Sequence, residues 1–566
     1  MLKSLSLVAA LLLSAISASP TSKLYPRDPC AGNTPTTRSK WCNYSVDTDY
    51  TAQIPDTGVT REYWLEITDA VVSPDGFTRP AIAVNGSIPG PTLIADWGDT
   101  VVVHVSNKLT TSKNGTSVHF HGIRQRNTNQ ADGVVSITQC PTAVGETETY
   151  TWRAEQYGTT WYHSHFAVQA WEGVYGAIVI NGPATENYDE DLGPLILSDW
   201  SRNTVDQLAF YSKRHLIPPF QDSGLINGVN VNPNGAGGKR HTVQFKAGKS
   251  YRLRLLNAAI DTHFKFMIDN HHMTVIAVDL VPVQPYNTTV IDIAIAQRYD
   301  VIVTADQGQR ADNFWIRAIP QLPCSLNNNP EKIRGIVYYG NAPSTPSTSS
   351  YEYLPSCSDE SEHRTIVPHV SKSPRDLATA EKSSQSVALE LQNNFYMWTL
   401  NGTSMEVDWR NPTLTQVLNG QTAFERNDGV IELPDANVMF YVVIHTLLPI
   451  PHPVHLHGHD FFVLAQGTGV YVPGITPLNT NNPLRRDTAV LPGAGYLVLG
   501  FETDNPGAWL MHCHIGFHVS EGFALQFIER RSEIAGLTDT GALDKTCAGW
   551  RAYQDANAVH QDDSGV

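Results

Sequence analysis

The sequence predicts an all-β protein in which one domain plan occurs at least twice, and two observations carry that expectation. First, short runs rich in Val, Ile and Thr recur between Gly, Pro and Asn. Among them are Thr100–Val105, Ala177–Ile180, Thr274–Val278, Tyr299–Val303 and Phe440–Ile444. These runs alternate or form brief apolar stretches, as strands do, and few segments keep a long helical period. An antiparallel sandwich or barrel follows. Second, the chain echoes itself. His163-Ser-His165 with Glu172-Gly173 recurs as His512-Cys-His514 with Glu521-Gly522, each position 349 residues further on. His119-Phe-His121-Gly122 recurs as His455-Leu-His457-Gly458 at an offset of 336. The first and last thirds therefore read as copies of one domain. The middle third, which has strands but no His-x-His, reads as a diverged copy or a spacer.

A chain of 566 residues exceeds what one hydrophobic core organises, so two to four domains are expected. Acidic residues outnumber basic ones, 55 to 39, and no basic stripe is present, which argues against nucleic-acid binding. The Pro/Ser/Thr segment Ala342–Ser350 and the charged stretch Ser356–Gln385 read as a linker region.

The N-terminus sets the expected compartment. Lys3, the apolar run Leu5–Ile16 and the small residues Ala15, Ser17, Ala18 and Ser19 form a signal peptide over residues 1–19. A further trimming near Arg27 is a second expectation. The run falls short of the roughly 20 apolar residues that cross a bilayer, so a secreted, extracellular protein is expected. Five Asn-x-Ser/Thr sites, at Asn43, Asn85, Asn114, Asn287 and Asn401, then predict a glycosylated surface.

Seven cysteines leave one unpaired in an oxidising compartment. Cys513, between two histidines, is taken as the free one. Of the fifteen connectivities open to the other six, Cys30–Cys42 and Cys324–Cys357 are the local choices, which leaves Cys140–Cys547 as a long-range clasp.

Four His-x-His pairs are present, at 119/121, 163/165, 455/457 and 512/514. On a strand, residues two apart share a face, so each pair projects both rings to one side. Eight imidazoles exceed the capacity of one ion and suit a cluster of three, with room for a small molecule. Cys513 then faces away from His512 and His514, towards His452 and His518. One thiolate with two imidazoles is the trigonal blue-copper set. Phe523, five residues beyond His518, stands near the axial direction and cannot donate to a metal, which favours the reduced ion. An electron accepted at Cys513 can pass through its own backbone to both neighbouring histidines. A lone His-x-His is usually an ordinary strand feature, and His271, His272 and His459 are read as such.

At these residues the chain resembles the multicopper oxidases, and among them the ascomycete-type laccases. The motifs are His119-Phe-His-Gly, His163-Ser-His, His452-Pro-Val-His-Leu-His-Gly-His and His512-Cys-His-Ile-Gly-Phe-His, together with Asp132-Gly, Gln297-Arg-Tyr-Asp and Asp504-Asn-Pro-Gly. The resemblance implies three consecutive cupredoxin-like Greek-key β-barrel domains, here 30–184, 185–345 and 386–566, with a linker at 346–385. It implies four copper ions. The blue copper takes His452, Cys513 and His518. A lone copper takes His119 and His455, and a coupled pair takes His121, His163, His165, His457, His512 and His514. Four one-electron oxidations of small phenols then reduce dioxygen to water. The tail Asp563-Ser-Gly-Val566 resembles a C-terminal plug whose usual last residue is Leu. Asp261, in Asn257-Ala-Ala-Ile-Asp-Thr-His-Phe, matches an acid placed to accept the phenol proton, and Asp222 matches the corresponding acid of basidiomycete enzymes. Asp132 is expected to relay protons to the oxygen site. A related oxidase acting on ascorbate or ferrous iron is the nearest alternative, and a non-catalytic secreted copper-binding protein a remoter one. A monomer is expected, and lignin phenols, pigment precursors and defensive phenolics are candidate substrates.

Overall fold

The computed structural model describes residues 30–235, 237–361, 363–372 and 383–566. The expected signal peptide, the trimming site near Arg27 and part of the linker lie outside the described residues.

All five of the strands named from sequence are strands. They lie within Thr100–Asn107, Tyr175–Asn181, Met273–Val278, Arg298–Thr304 and Met439–Thr446. Successive stretches of chain supply three pairs of facing sheets. The first pair has four strands in each sheet, and the second and third pairs have six and five. Each pair mixes antiparallel ladders with a parallel crossing, such as Thr60–Val72 on Thr100–Asn107 and Glu190–Trp200 on Ser250–Asn257. The first barrel closes on its own core around Trp97, Trp152, Phe120 and Tyr162. A second apolar core runs without a break through the other two and takes in Trp161 and Tyr175 from the first. The barrels are therefore joined by buried apolar surface rather than by tethers alone.

The internal echo is reproduced in strand register. His119 lies opposite His163 across one ladder, and His455 lies opposite His512 across its counterpart. Equal spacing in sequence has become equal pairing in space, because register fixes which side chains share a face.

The three disulfides are Cys30–Cys42, Cys140–Cys547 and Cys324–Cys357, and Cys513 is free and buried. The longest helix among the described residues, Thr540–Asn557, is not anticipated from sequence. Asp539 caps it by accepting from the Gly541 and Ala542 amides. Its buried residues Leu543, Thr546, Cys547 and Trp550 follow i, i+3, i+4, i+7 spacing. That stripe is only one residue wide on a polar helix and ends in a cysteine clasp, so it gave a weak apolar signal.

The linker stretch is also more engaged than its composition suggests. Asp359 accepts from the Val490 amide at 2.9 Å and from Gln466 Nε2 at 2.8 Å, and Cys357 is anchored to Cys324. Asp359 is thus a partner for donors of the third barrel, not a solvated spacer. No helix among the described residues is long and apolar enough to cross a membrane. Asn43, Asn85, Asn287 and Asn401 are exposed and Asn114 is half-buried.

Candidate metal centre

The four His-x-His pairs converge where the first barrel meets the third. Strand His119–His121 delivers two rings, and strand Gly158–His163 delivers His163 and leads into His165. His452–Leu456 and Gly507–Cys513 are their counterparts in the third barrel. All eight rings are buried. They fall into groups whose nitrogens lie within 4.8 Å of one another: His121, His163 and His514; His165, His457 and His512; His119, His121 and His455. The His121 and His455 rings stack with centroids 3.8 Å apart, and each belongs to a different barrel.

Inward-facing nitrogens of these rings have no hydrogen-bond partner. They are Nε2 of His119, His163, His455, His457 and His512, Nδ1 of His121, and both nitrogens of His514. Unpaired buried polar atoms are rare in folded proteins, so a cluster of them fits a site built to coordinate metal ions. Burial first, and the crowding of neighbouring imidazoles second, hold His121, His165, His455 and His457 well below the usual histidine range. The shift favours the neutral form that a metal ligand needs. The donor set therefore fits a cluster of borderline divalent metal ions such as copper.

Cys513 occupies the opposite face of its strand, as alternation requires. Its Sγ lies 3.5 Å from His518 Nδ1 and 3.8 Å from His452 Nδ1, and those two nitrogens are 3.2 Å apart. His518 comes from the short helix Gly516–Ser520 that follows the strand. Burial pushes the Cys513 thiol up and the His452 ring down to about 3. A thiol so disfavoured as a free anion needs a bound cation to become a thiolate. Trp398 packs on His518 with centroids 4.2 Å apart, and Phe523 lies 5.0 Å from His452. The Phe523 carbonyl accepts from the Cys513 amide at 3.1 Å.

The predicted acids are placed differently from one another. Asp261 is buried; its amide donates to Asp199 Oδ2 at 3.0 Å, and the adjacent Ile260 carbonyl accepts from Gly516 on the His518 helix. Burial, then Asp199 and Glu521, raise its carboxyl well above the usual range. Asp222 is half-buried and accepts from the Arg202 amide at 2.9 Å and Asn328 Nδ2 at 3.4 Å. None of its hydrogen bonds reaches the Cys513 group. Asp132 is fully buried within the histidine cluster, where its Oδ2 accepts from His457 Nδ1 at 2.9 Å. Gly133, at φ 78°, makes this possible, because a Cβ there would lie 1.9 Å from the Val118 carbonyl.

Sequence reasoning missed Asp487. Its Oδ1 accepts from His121 Nε2 at 3.1 Å, and its carbonyl accepts from His455 Nδ1 at 2.7 Å. Arg298, from the Gln297-Arg-Tyr-Asp motif, donates to it through both terminal nitrogens, at 2.7 and 2.5 Å. The available signal was the charged run Arg485-Arg486-Asp487 just ahead of the apolar strand Thr488–Leu491, a costly arrangement unless its members pair.

Comparison with known proteins agrees with this geometry. Family models described as multicopper oxidase match residues 66–185, 191–341 and 382–533. The chain belongs to the multicopper oxidase family. It is 46% identical to Laccase-1 of Botryotinia fuckeliana, covering 98% of each chain. Laccase-2 of the same organism is 45% identical, covering 95% of this chain and 94% of the relative. The crystal structure of the laccase from Botrytis aclada superposes with a TM-score of 0.90 at 44% identity, covering 95% of this chain and all of the other. The three paired-sheet units of this multicopper oxidase are thus cupredoxin-like barrels, and membership of the family implies copper binding.

Proposed function

We propose that the chain is a laccase that oxidises phenols and related aromatics one electron at a time and reduces dioxygen to water. The observation that carries the reading is Cys513. Its sulfur meets His452 and His518 on one side of the strand, while its two sequence neighbours enter the histidine cluster on the other. The reading assigns His452, Cys513 and His518 to one copper and His119 with His455 to a second. It assigns His121, His163 and His514 to a third, and His165, His457 and His512 to a fourth. When bound, copper supplies one-electron acceptance at the thiolate and dioxygen reduction at the cluster. The Cys513 backbone joins the two. Trp398 packs on His518 and Phe523 on His452, so the thiolate side is walled by apolar rings that offer no metal ligand of their own.

The reading extends to the remaining expectations. Barrels at 30–184, 185–345 and 386–566, secretion, glycans on the five sequons and a monomeric state belong to it. A visible spectrum should show an intense band near ~600 nm, expected of a thiolate bound to Cu(II). Oxygen consumption should be faster with a phenol than with ascorbate or Fe²⁺. Absence of the band, or a preference for ascorbate or Fe²⁺, would overturn the reading.

Asp261 is the proposed acceptor of the phenol proton. A carboxylate whose charged form is disfavoured by burial is the stronger base once ionised. Asp261→Ala should lower kcat/KM for a phenol by about 10²-fold, the low end for a lost general base. Oxidation of a dye that releases no proton should fall far less. Equal losses would remove the assignment.

The C-terminal tail is the proposed plug of the oxygen channel. Val566 is buried among Val134, Ile137, Leu510 and Val519. The Ser564 amide donates to the Ser520 carbonyl at 3.0 Å, and Ser136 Oγ donates to the Gly565 carbonyl at 2.7 Å. The tail thus bridges the loop after Asp132 and the helix after His514. Deleting residues 563–566 should change KM for oxygen. An unchanged value would refute the plug.

A further inference from the structure

Asp132 and Asp487 mirror each other across the two copies of the repeated domain. Asp132 belongs to the first barrel. Its backbone carbonyl accepts from His119 Nδ1 of that barrel at 2.7 Å, and its carboxylate accepts from His457 Nδ1 of the third at 2.9 Å. Asp487 belongs to the third barrel. Its carbonyl accepts from His455 Nδ1 of its own barrel at 2.7 Å, and its carboxylate accepts from His121 Nε2 of the first at 3.1 Å. Four of the eight rings are held this way. His163 and His512 instead donate to local carbonyls, of Ser164 and Cys513, at 3.0 and 2.9 Å.

We infer that Asp132 and Asp487 are a matched pair of positioning residues: each joins a histidine of its own barrel to one of the facing barrel, and so fixes which ring nitrogen meets the metals. The nitrogens left unpaired agree. Among the four held rings, His119, His455 and His457 donate from Nδ1 and present Nε2. His121 alone donates from Nε2, to Asp487, and presents Nδ1. A ring nitrogen bonded outward as N–H leaves the other as the lone-pair donor, so the acceptor selects the tautomer: the carbonyl for His119 and His455, the carboxylate for His457 and His121.

Two features hold Asp487 to this task. Arg298 grips both its oxygens and fixes the plane of the carboxylate. Gly122, the residue after His121, has φ 73°, and a Cβ there would lie 2.3 Å from Asp487 Oδ2. The glycine of each His-x-His-Gly motif is therefore not interchangeable: at position 122 it clears the carboxylate of the other barrel.

The inference rests on the copper reading of the cluster, so copper content of the wild-type enzyme is measured first. A wild-type chain that binds none at the histidine cluster sinks that reading itself. In copper-loaded enzyme, Asp487→Ala and Asp132→Ala should each lose cluster copper to a chelator about 10- to 100-fold faster, the usual cost of deleting a partner behind a ligand. The ~600 nm band of the Cys513 site should persist. Asp487→Asn keeps an oxygen acceptor for His121, so its extraction rate should stay near wild type even though its thermal midpoint falls with the lost charge beside Arg298. Asp132→Asn should likewise hold its copper. Three results would overturn the inference: alanine variants that hold copper like wild type, an Asp487→Asn variant that loses it as fast as Asp487→Ala, or a band that decays in step with the cluster. If Asp487→Ala fails to fold, the Asp132→Ala and Asp132→Asn pair decides, because the ion pairs of Asp132 among the described residues are with histidines only.

Discussion

Cys513→Ser should erase the absorption near ~600 nm and bring phenol-dependent oxygen uptake down to the reagent blank. The expectation follows from chemistry and from topology together. A hydroxyl has nearly the size of a thiol but is a hard, weakly acidic donor, so roughly one copper ion per chain should be lost. The histidine cluster should keep its metal, because His512 stays paired with His455 and Ala524 in the ladder and the His514 amide still donates to the Pro453 carbonyl. Copper analysis, the visible spectrum and oxygen uptake on one preparation check all three. Substantial phenol turnover in the variant would mean that electrons reach the cluster by a route that bypasses position 513.

The second large effect is on stability. Asp279→Asn should destabilise the protein by about 3 kcal/mol, the lower end of the cost of breaking a buried ion pair. Asp279 is buried where all three barrels meet. Its carboxylate accepts from Arg486 Nε at 3.0 Å, from the Arg298 amide at 3.1 Å and from the Asp487 amide at 3.3 Å. Arg298 and Arg486 are themselves fully buried, so removing the charge leaves two guanidinium groups with less than their due of anions. Asparagine is the informative replacement. It tolerates the left-handed backbone at this position, φ 49°, so the loss reports on charge and not on strain. Burial alone pushes the Asp279 carboxyl up, but Arg486 and Arg298 outweigh it and hold it below the usual carboxylate range. A group depressed on folding contributes stability that is present above its unfolded value of about 3.9 and lost as pH falls through the folded one. The difference in unfolding midpoint between wild type and Asp279→Asn should therefore be full at neutral pH and shrink in acid. A difference independent of pH would show that the amide acts through shape.

The sequence was most legible where function demands fixed spacing. Each His-x-His pair is read from residues two apart; His119 and His121 lie within one strand, and the other three pairs each run off a strand end. Cys513 was singled out by its two neighbours, and its segregation from them follows from the same period of two. The disulfides were legible because two closures are short and parity left the third. Asp261 is proposed through its resemblance to a family position, not through any local pattern. Asp487 and Asp279 were not found. They act through contacts with His121, Arg298 and Arg486, hundreds of residues away in two cases, and no periodicity marks such a partner. The helix Thr540–Asn557 was passed over because its buried stripe is narrow.

The amino-acid sequence alone determined which histidines recur in pairs two residues apart and which cysteine stays free, because those properties depend on residue type and on spacing along the chain. Tertiary structure decided how eight imidazoles from two barrels divide into groups, which nitrogen each presents, and what holds them there. Those outcomes depend on how folded surfaces meet, where a carboxylate from one barrel satisfies a ring from another. Burial between barrels makes each such hydrogen bond expensive to lose, and that cost is set by the packed interface, not by any segment of the chain.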